Sequence, residues 1–382
     1  NRKNTLGFER DAIRAFSTKP YAIARQLANL EYGARFNYLD TQMREHVENG
    51  KGSGEAVAMY NELSKHIKFA INPDVPEWSR IATSIGFNMT LGFNISSALV
   101  NLTQIPLVTM PYLSGKYGLP ETSKALADAT RIYTGSKFVD RGRVDILGIK
   151  TDMKAMPSMD NYDYSDTNLS DDVREIKTLV ETAREYGQLN RSQIYDILDV
   201  DKTEGLMTKV NAVSGFVFHH GERMNREITL IAAYKLEMQR MKNPTKLTAD
   251  ERAMTPAQRE RHAAENAIEL TELTNGTMSA AAAPSLAQSG IGKVLFMFKR
   301  YGVSMYYMLF KTTRDALVGQ DQDVKDAARK QIVGIYGAAA LLSGARGIPM
   351  FGVAAMVYNL FKDDDEDDFE TLTRKWMGET AY

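Results

Sequence analysis

The chain has 382 residues, with 47 Lys and Arg against 48 Asp and Glu, a formal net charge of −1 and no cysteine. This length accommodates two or three modules with cores of their own, and the balanced charge excludes a chain that binds polyanions over its whole surface. The missing cysteines exclude disulfide staples, cysteine nucleophiles and thiolate zinc sites together. The 19 methionines against 2 tryptophans imply adaptable packing surfaces. The chain opens on Asn1 with no charged-then-apolar leader, so an internal piece of a longer polypeptide, cut at both ends, is expected.

Residues 8–45 read as helices. Ala12, Ile13, Phe16, Ile23, Leu27, Leu30, Tyr32, Phe36 and Leu39 follow helical spacing, and Pro20 separates two segments. A Gly- and Ser-rich loop at 48–55 precedes a short helix at about 55–70. Pro73 and Pro76 then lead into a run with no charged residue from Ile81 to Gly115. A membrane span needs roughly 20 predominantly apolar residues, and Asn88, Asn94, Asn101 and Gln104 interrupt this run. A buried amide without a partner costs about 1–3 kcal/mol. The run is therefore expected to be a central buried helix with bonded amides, whose register ends at Pro106 and Pro111. A helix at 120–133 should start with Pro120 in its first turn and stop before Gly135.

Residues 136–169, rich in Asp, Asn, Ser and Tyr, read as an exposed linker with at most one short strand around Val144, Ile146, Leu147 and Ile149. Ser170 caps the next helix, with Asp171 and Asp172 in its first turn. Val173, Ile176, Leu179, Val180 and Ala183 form its stripe and Gly187 ends it. Asn190 with Gln193 announces a second helix and thus an antiparallel hairpin. From Leu206 to Lys242 the stripe Val210, Val213, Val217, His220, Met224, Ile228, Ile231, Met238, Met241 predicts a continuous rod of about 55 Å, and with it an elongated molecule.

Asn243-Pro244 breaks this rod. Thr248 with Glu251, and Thr255-Pro256 with Gln258, predict new helix starts. A helix at 261–274, a small-residue connector at 275–290 and an aromatic helix at 291–317 follow. Two short apolar segments, 331–343 and 348–361, join through Ala345-Arg346-Gly347, each too short to cross a bilayer alone. They fit a buried hairpin and a membrane-active element equally. The acidic block Asp363–Asp368 comes next. The chain thus reads as all-α, with little or no sheet and four parts: 1–135 (holding the buried helix 81–115), the linker 136–169, 170–285, and 286–382.

Signatures of catalysis are absent: no phosphate-cradling glycine loop, no GxSxG and no HExxH. The chain is read as not an enzyme, with no catalytic, cofactor-binding or metal residue and no cofactor assigned. His219-His220 with Glu222 and Glu227 is the one metal-like cluster, and a packed, hydrogen-bonded pair is the reading favoured, since metal sites need three or four convergent ligands. Lys293, Lys299 and Arg300 among aromatics suit nucleic acid or anionic lipid, against a plainer reading as the basic ends of a surface helix. The acidic block is read as a solvated linker rather than a cation site.

Several tracts together resemble one family. AIRAF at 12–16, ISSALVNLTQIPLVTMPYLSGKYG at 95–118, FHHGERMNREITLIAAYKLE at 218–237, VLFMFKRYGVSMYYMLFK at 294–311 and GARGIPMFG at 344–352 with the acidic block behind it are similar to the C-terminal region of very large phage proteins. These are the PLxRFG-type polyvalent virion proteins. The resemblance implies a structural segment of a tailed-phage internal virion (ejection) protein, packaged in the capsid near the portal and ejected to help form a genome-delivery conduit across the host envelope. It implies a homo-oligomer, other ejection, portal or tail proteins as partners, and contacts with the envelope membrane and genomic DNA. Two alternatives stand beside it: the non-catalytic scaffold of a giant virion RNA polymerase polypeptide, and a DNA-binding packaging module using helix 293–314.

Overall fold

The structure is a computed structural model that describes residues 20–51, 53–91, 94, 101–136, 140–146, 149–154, 157–189, 215–276, 283–297, 299–319, 321–362 and 366–378. Among the described residues the fold is all-α apart from one two-stranded hairpin. The chain divides into two units, neither of them continuous in sequence: Asn1–Gly92 with Gln193–Val213 and Ser279–Phe298, and Phe93–Ser192 with Ser214–Met278 and Lys299–Tyr382. The uncharged run at 81–115 is therefore shared between the two, and the four consecutive parts expected from composition are not the units the chain forms.

In the first unit, helix α1 (Pro20–His46) packs on α2 (Gly54–Ile71), with Asn29 Nδ2 donating to the Ile71 carbonyl at 3.0 Å. Ser53 caps α2 by accepting from the Ala56 N–H. Glu62 of α2 accepts from the Ser285 N–H, and His66 faces Gln288, so the short 3-10 turn Ser285–Ala287 sits against α2. Helix α3 (Glu77–Thr90) buries a face of small residues and one aromatic (Ser79, Thr83, Ser84 and Phe87). A Cβ at Gly86 would stand 2.6 Å from Met297 Cε, so the glycine lets the methionine against the helix backbone. The opposite face carries exposed Trp78, Ile81, Ile85 and Met89. The expectation of a wholly buried helix fails here: lacking charge does not force burial when only one face has a neighbour.

In the second unit the helical path does not end at the prolines. A π-helical turn, Ile105–Thr109, runs directly into α4 (Met110–Tyr117), and the Met110 N–H donates to the Ile105 carbonyl five residues back. Proline has no N–H and clashes with the carbonyl four residues back. The wider turn accommodates Pro106, and Pro111 falls at a first-turn position where its N–H is not needed. Two of the amides find partners as expected: Gln104 Nε2 donates to the Thr274 carbonyl and Asn88 Nδ2 to the Ser84 carbonyl, each at 2.9 Å. Asn101 departs from the expectation: its backbone carbonyl accepts from Asn225 Nδ2, but its own side-chain nitrogen is buried without a partner.

Helix α5 (Leu119–Gly135) carries Pro120 in its first turn as predicted, but runs through Gly135 instead of stopping before it. The stretch 136–169 is not an exposed linker throughout. It opens with the antiparallel hairpin β1 (Asp140–Ile146) and β2 (Ile149–Lys154), whose register sets Arg143 opposite Asp152 and Asp145 opposite Lys150. Opposite charges directly across an antiparallel pair favour that register. The stretch then returns to the core: Ser158 and Met159 are fully buried, and Tyr162 and Tyr164 pack on the main hydrophobic cluster. Ser170 precedes a helix that splits into α6 (Asp171–Arg174) and α7 (Lys177–Glu185), with Gly187 at φ +65° beyond it. The helix expected from Asn190 and Gln193 lies outside the described residues.

The predicted rod is α8 (Phe216–Met241), 26 residues long. Its expected extension back to Leu206 falls outside the described residues, and Gly215 stands at the N-cap. Both predicted capping boxes are present, at the starts of α9 (Ala249–Ala253) and α10 (Pro256–Asn275). α5 and α10 pack on α8, α7 packs on α10, and their side chains form the larger core. In the first unit, α11 (Gly290–Phe296) lies against α3.

The second unit continues with α12 (Arg300–Val318), α13 (Gln322–Ser343), the 3-10 turn Ala345–Gly347, α14 (Phe351–Phe361) and α15 (Phe369–Met377). α13 crosses α4 closely. A Cβ on Gly115 would lie 2.8 Å from the Gln331 nitrogen, and one on Gly334 would lie 3.0 Å from Pro111 Cβ. Gln331 Nε2 donates to the Tyr112 carbonyl at 3.0 Å across this crossing.

Candidate functional site

Two features of the second unit depart from what an ordinary helical core requires. The first is a column of buried charge along α8. Glu222, Arg223, Asn225, Arg226, Glu227 and Glu237 are all buried. Glu227 accepts from Arg223 Nε at 2.7 Å, from Ser158 Oγ at 2.9 and 3.0 Å, and from the Met159 N–H at 2.7 Å. Burial pushes its carboxyl above the usual range, against the pull of Arg223 and the surrounding donors. Ser158 in turn donates its N–H to Ser136 Oγ at 2.8 Å. Tyr164 reaches the Met159 carbonyl, and Tyr162 the Ile132 carbonyl. One carboxylate thus holds the two chain ends that bracket the β-hairpin.

Nearly three turns further along the helix, Glu237 receives Lys116 Nζ at 2.7 Å, the Tyr117 hydroxyl, and Arg240 Nε at 2.8 Å. Burial alone would raise its carboxyl; Lys116 and the hydrogen bonds outweigh that and hold it below the usual range. Arg240 continues the chain of charge to Glu251, with bonds of 2.5 and 3.1 Å. The Arg240 hydrogen bond drives Glu251 down to about 2. Glu251 is also the capping-box residue of α9. Arg226 is buried, donates to the Gly276 carbonyl at 2.8 Å, and feels the charges of Glu222 and Glu272.

The second feature is an uncovered apolar surface on α12, α13 and α14. Met308, Leu309, Thr312 and Ala316 turn one face of α12 inward. The other face exposes Val303, Tyr306, Tyr307, Leu317, Val318 and Phe310, the last 70 % exposed. Leu341 and Phe361, at 87 % and 83 %, mark the end of α13 and the end of α14. Aromatic side chains present ~150–250 Å² each, so α12 alone leaves several hundred Å² uncovered. The largest apolar patch of an ordinary monomer is roughly 300–600 Å². The hairpin 331–361 is thus neither a buried core element nor a span. Ala328, Gln331, Ile335 and Ala339 are inside, while most of α14 is outside. Among the described residues no helix is long and apolar enough to cross a membrane.

The clusters singled out in the sequence fare differently. His219 and His220 stack edge to face at 4.9 Å, and Phe216 lies 4.3 Å from His220. Glu227 is engaged by Arg223 and Ser158, and among the described residues no group of three or more His, Asp or Glu is placed to hold a metal. Lys293 is buried in the first unit, whereas Lys299 is exposed at the start of the second. In the acidic block, Asp363–Asp365 lie outside the described residues. Asp368 caps α15 through the Thr371 N–H at 2.6 Å, and Asp367 pairs with Lys375. Arg346 reaches Glu370 at 2.6 Å.

Comparison of the chain with protein-family models, with curated proteins and with solved structures returned no match.

Proposed function

We propose that this chain is an assembling, structural segment of a tailed-phage internal virion protein. It is packaged in the capsid near the portal and ejected to help form a genome-delivery conduit across the host envelope. The observation that carries the reading is the uncovered apolar face of α12 to α14 in the same unit as a core pinned by buried charge. A surface of that size is costly in water and suits a permanent partner. Partners of two kinds satisfy it at different stages: further copies of the chain or neighbouring portal and tail proteins in the particle, and the envelope lipid after ejection. Because no described helix spans a bilayer on its own, membrane passage would come from several chains together. The family resemblance of the tracts at 95–118, 218–237 and 294–311 supports the viral setting. The buried Lys293 counts against the packaging-module reading, which needs its cations on one open face.

Mass spectrometry of purified virions before and after triggered genome release tests the reading. The chain is expected in full particles and lost from emptied ones; absence from both overturns it. In vesicle-leakage assays, binding to bilayers is expected to depend on Phe310, Leu341 and Phe361, and a chain that neither binds nor permeabilises any vesicle removes the conduit role.

A further inference from the structure

The β-hairpin is a sheet of two strands, and among the described residues no third strand joins either edge. A lone two-stranded hairpin is marginally stable in water, and an open edge is a row of unpaired N–H and C=O groups that templates another strand. The two edges are unlike. The register of β1 slips between Asp140 and Arg143, and an irregularity of this kind bends a strand and blunts its edge. β2 pairs without a slip from Ile149 to Asp152.

From this register we infer that β2 is a self-association edge. It pairs antiparallel with β2 of a second copy of the chain, centred on Thr151, to give a four-stranded sheet in the order β1-β2-β2-β1. The sequence of β2, IKTDMK, is its own complement in that arrangement. Lys150 stands opposite Asp152 of the second copy and Asp152 opposite its Lys150. Ile149 stands opposite Met153, and Thr151 opposite Thr151. Opposite charges and apolar pairs directly across a ladder stabilise it, and like charges destabilise it. Moving the centre by one residue, to Lys150 or to Asp152, sets a like charge against itself. The edge of β1 is the poorer solution: centred on Val144 it also sets Arg143 against Asp145, but Gly142 then stands opposite Ile146 and the slip between Asp140 and Arg143 interrupts the strand. A two-fold contact of this kind is the isologous form in which most homodimers close. Strand addition also needs little reorganisation here, since the hairpin stands on a fixed base: Ser136 and Ser158 are bonded to each other and Ser158 to Glu227. The inference rests on the self-assembly part of the proposed function and not on its viral part.

The chain has no cysteine, so a single introduced thiol reports one position. In an antiparallel pair, opposed Cβ atoms lie about 4.5–5.5 Å apart, close to what a disulfide bridges. Thr151→Cys in the full chain should form a disulfide-linked dimer under mild oxidation. Val144→Cys, opposite Thr151 within the same hairpin and remote from the proposed axis, should do so at least about tenfold more slowly, because only the first pair is held at high effective concentration. A second variant replaces residues 137–156 with a short glycine linker, which the Ser136–Ser158 bond allows without parting the core. It should keep its thermal midpoint but remain monomeric in light scattering where the parent chain is dimeric. Equal cross-linking of the two thiols overturns the inference. So does an excised chain that associates like the parent, an outcome that would leave self-assembly standing on another surface. A parent chain that is monomeric at every concentration overturns both.

Discussion

Helix α8 and helices α12 to α14 belong to one unit and reverse the usual placing of polarity. α8 carries the motif ERMNRE at 222–227 with every charge buried, and α12 to α14 turn Tyr, Phe and Leu to the outside. The difference shows what each region is for. Buried carboxylates met by cations, Glu227 by Arg223 and Glu237 by Arg240 and the more exposed Lys116, fix a single arrangement, because an uncompensated buried charge is costly. Apolar groups left outside fix nothing by themselves and can exchange one apolar neighbour for another. One half of the unit is specified and the other is left to be completed.

Breaking the specified half should be the most damaging change. Glu237→Ala takes the shared acceptor from the Tyr117 hydroxyl and from Arg240, while the more exposed Lys116 turns to solvent; a loss at the top of the range of about 1–3 kcal/mol is expected, read as a fall in the denaturation midpoint with urea. Glu227→Gln keeps the shape but removes the charge that Arg223 needs. A loss of about 1–3 kcal/mol is expected, together with faster hydrogen exchange at Ser158 and Met159, which a general loosening would not single out. Gly115→Ala probes the close crossing rather than the charges. With the Gln331 nitrogen 2.8 Å from the added carbon, it should cost about 1–3 kcal/mol.

Acid sharpens the comparison. Glu251 is held at about 2 in the folded chain, against roughly 4.3 for a free glutamate. Its contribution is therefore present above the unfolded value and lost as pH falls toward 2. Acid titration followed by circular dichroism should show stability declining through that window, and Glu251→Gln should flatten the decline. The smallest effect belongs to the open half. Phe310→Ser should leave the thermal midpoint nearly unchanged, within about 0.5 kcal/mol as for most exposed sites, yet weaken vesicle binding.

These regions were not equally legible in the sequence. Start signals are local, so Pro120, Thr248 with Glu251, and Thr255 with Gln258 could be read directly and stand where expected. The apolar stripe of α8 was likewise plain in Ile228, Ile231 and Met241. Its buried charges were not, because opposite charges four residues apart read as a solvent-facing pattern. What buries Arg223 and Glu227 is the return of Ser158 and Met159 from a segment whose Asp, Asn and Ser content suggested an open linker. The β-hairpin was hidden for a related reason: its register depends on matched charges in two strands, a pairing no single-strand pattern displays. The uncovered face of α12 to α14 could not be foreseen from apolar content alone, since the same residues would serve equally well inside.

The π-helical turn at Ile105–Thr109 has one more consequence. In an uncharged helix nothing along the sequence says which side should face which neighbour, and a shift of one residue would turn everything beyond it by about 100°. Such a turn would carry Tyr112 away from Gln331 and Gly115 away from its crossing with α13. The two prolines prevent this, because each can be seated only where its missing N–H is not required. In a stretch without charge they act as phase markers, setting the rotation of Met110–Tyr117 by what they cannot bond rather than by what they can.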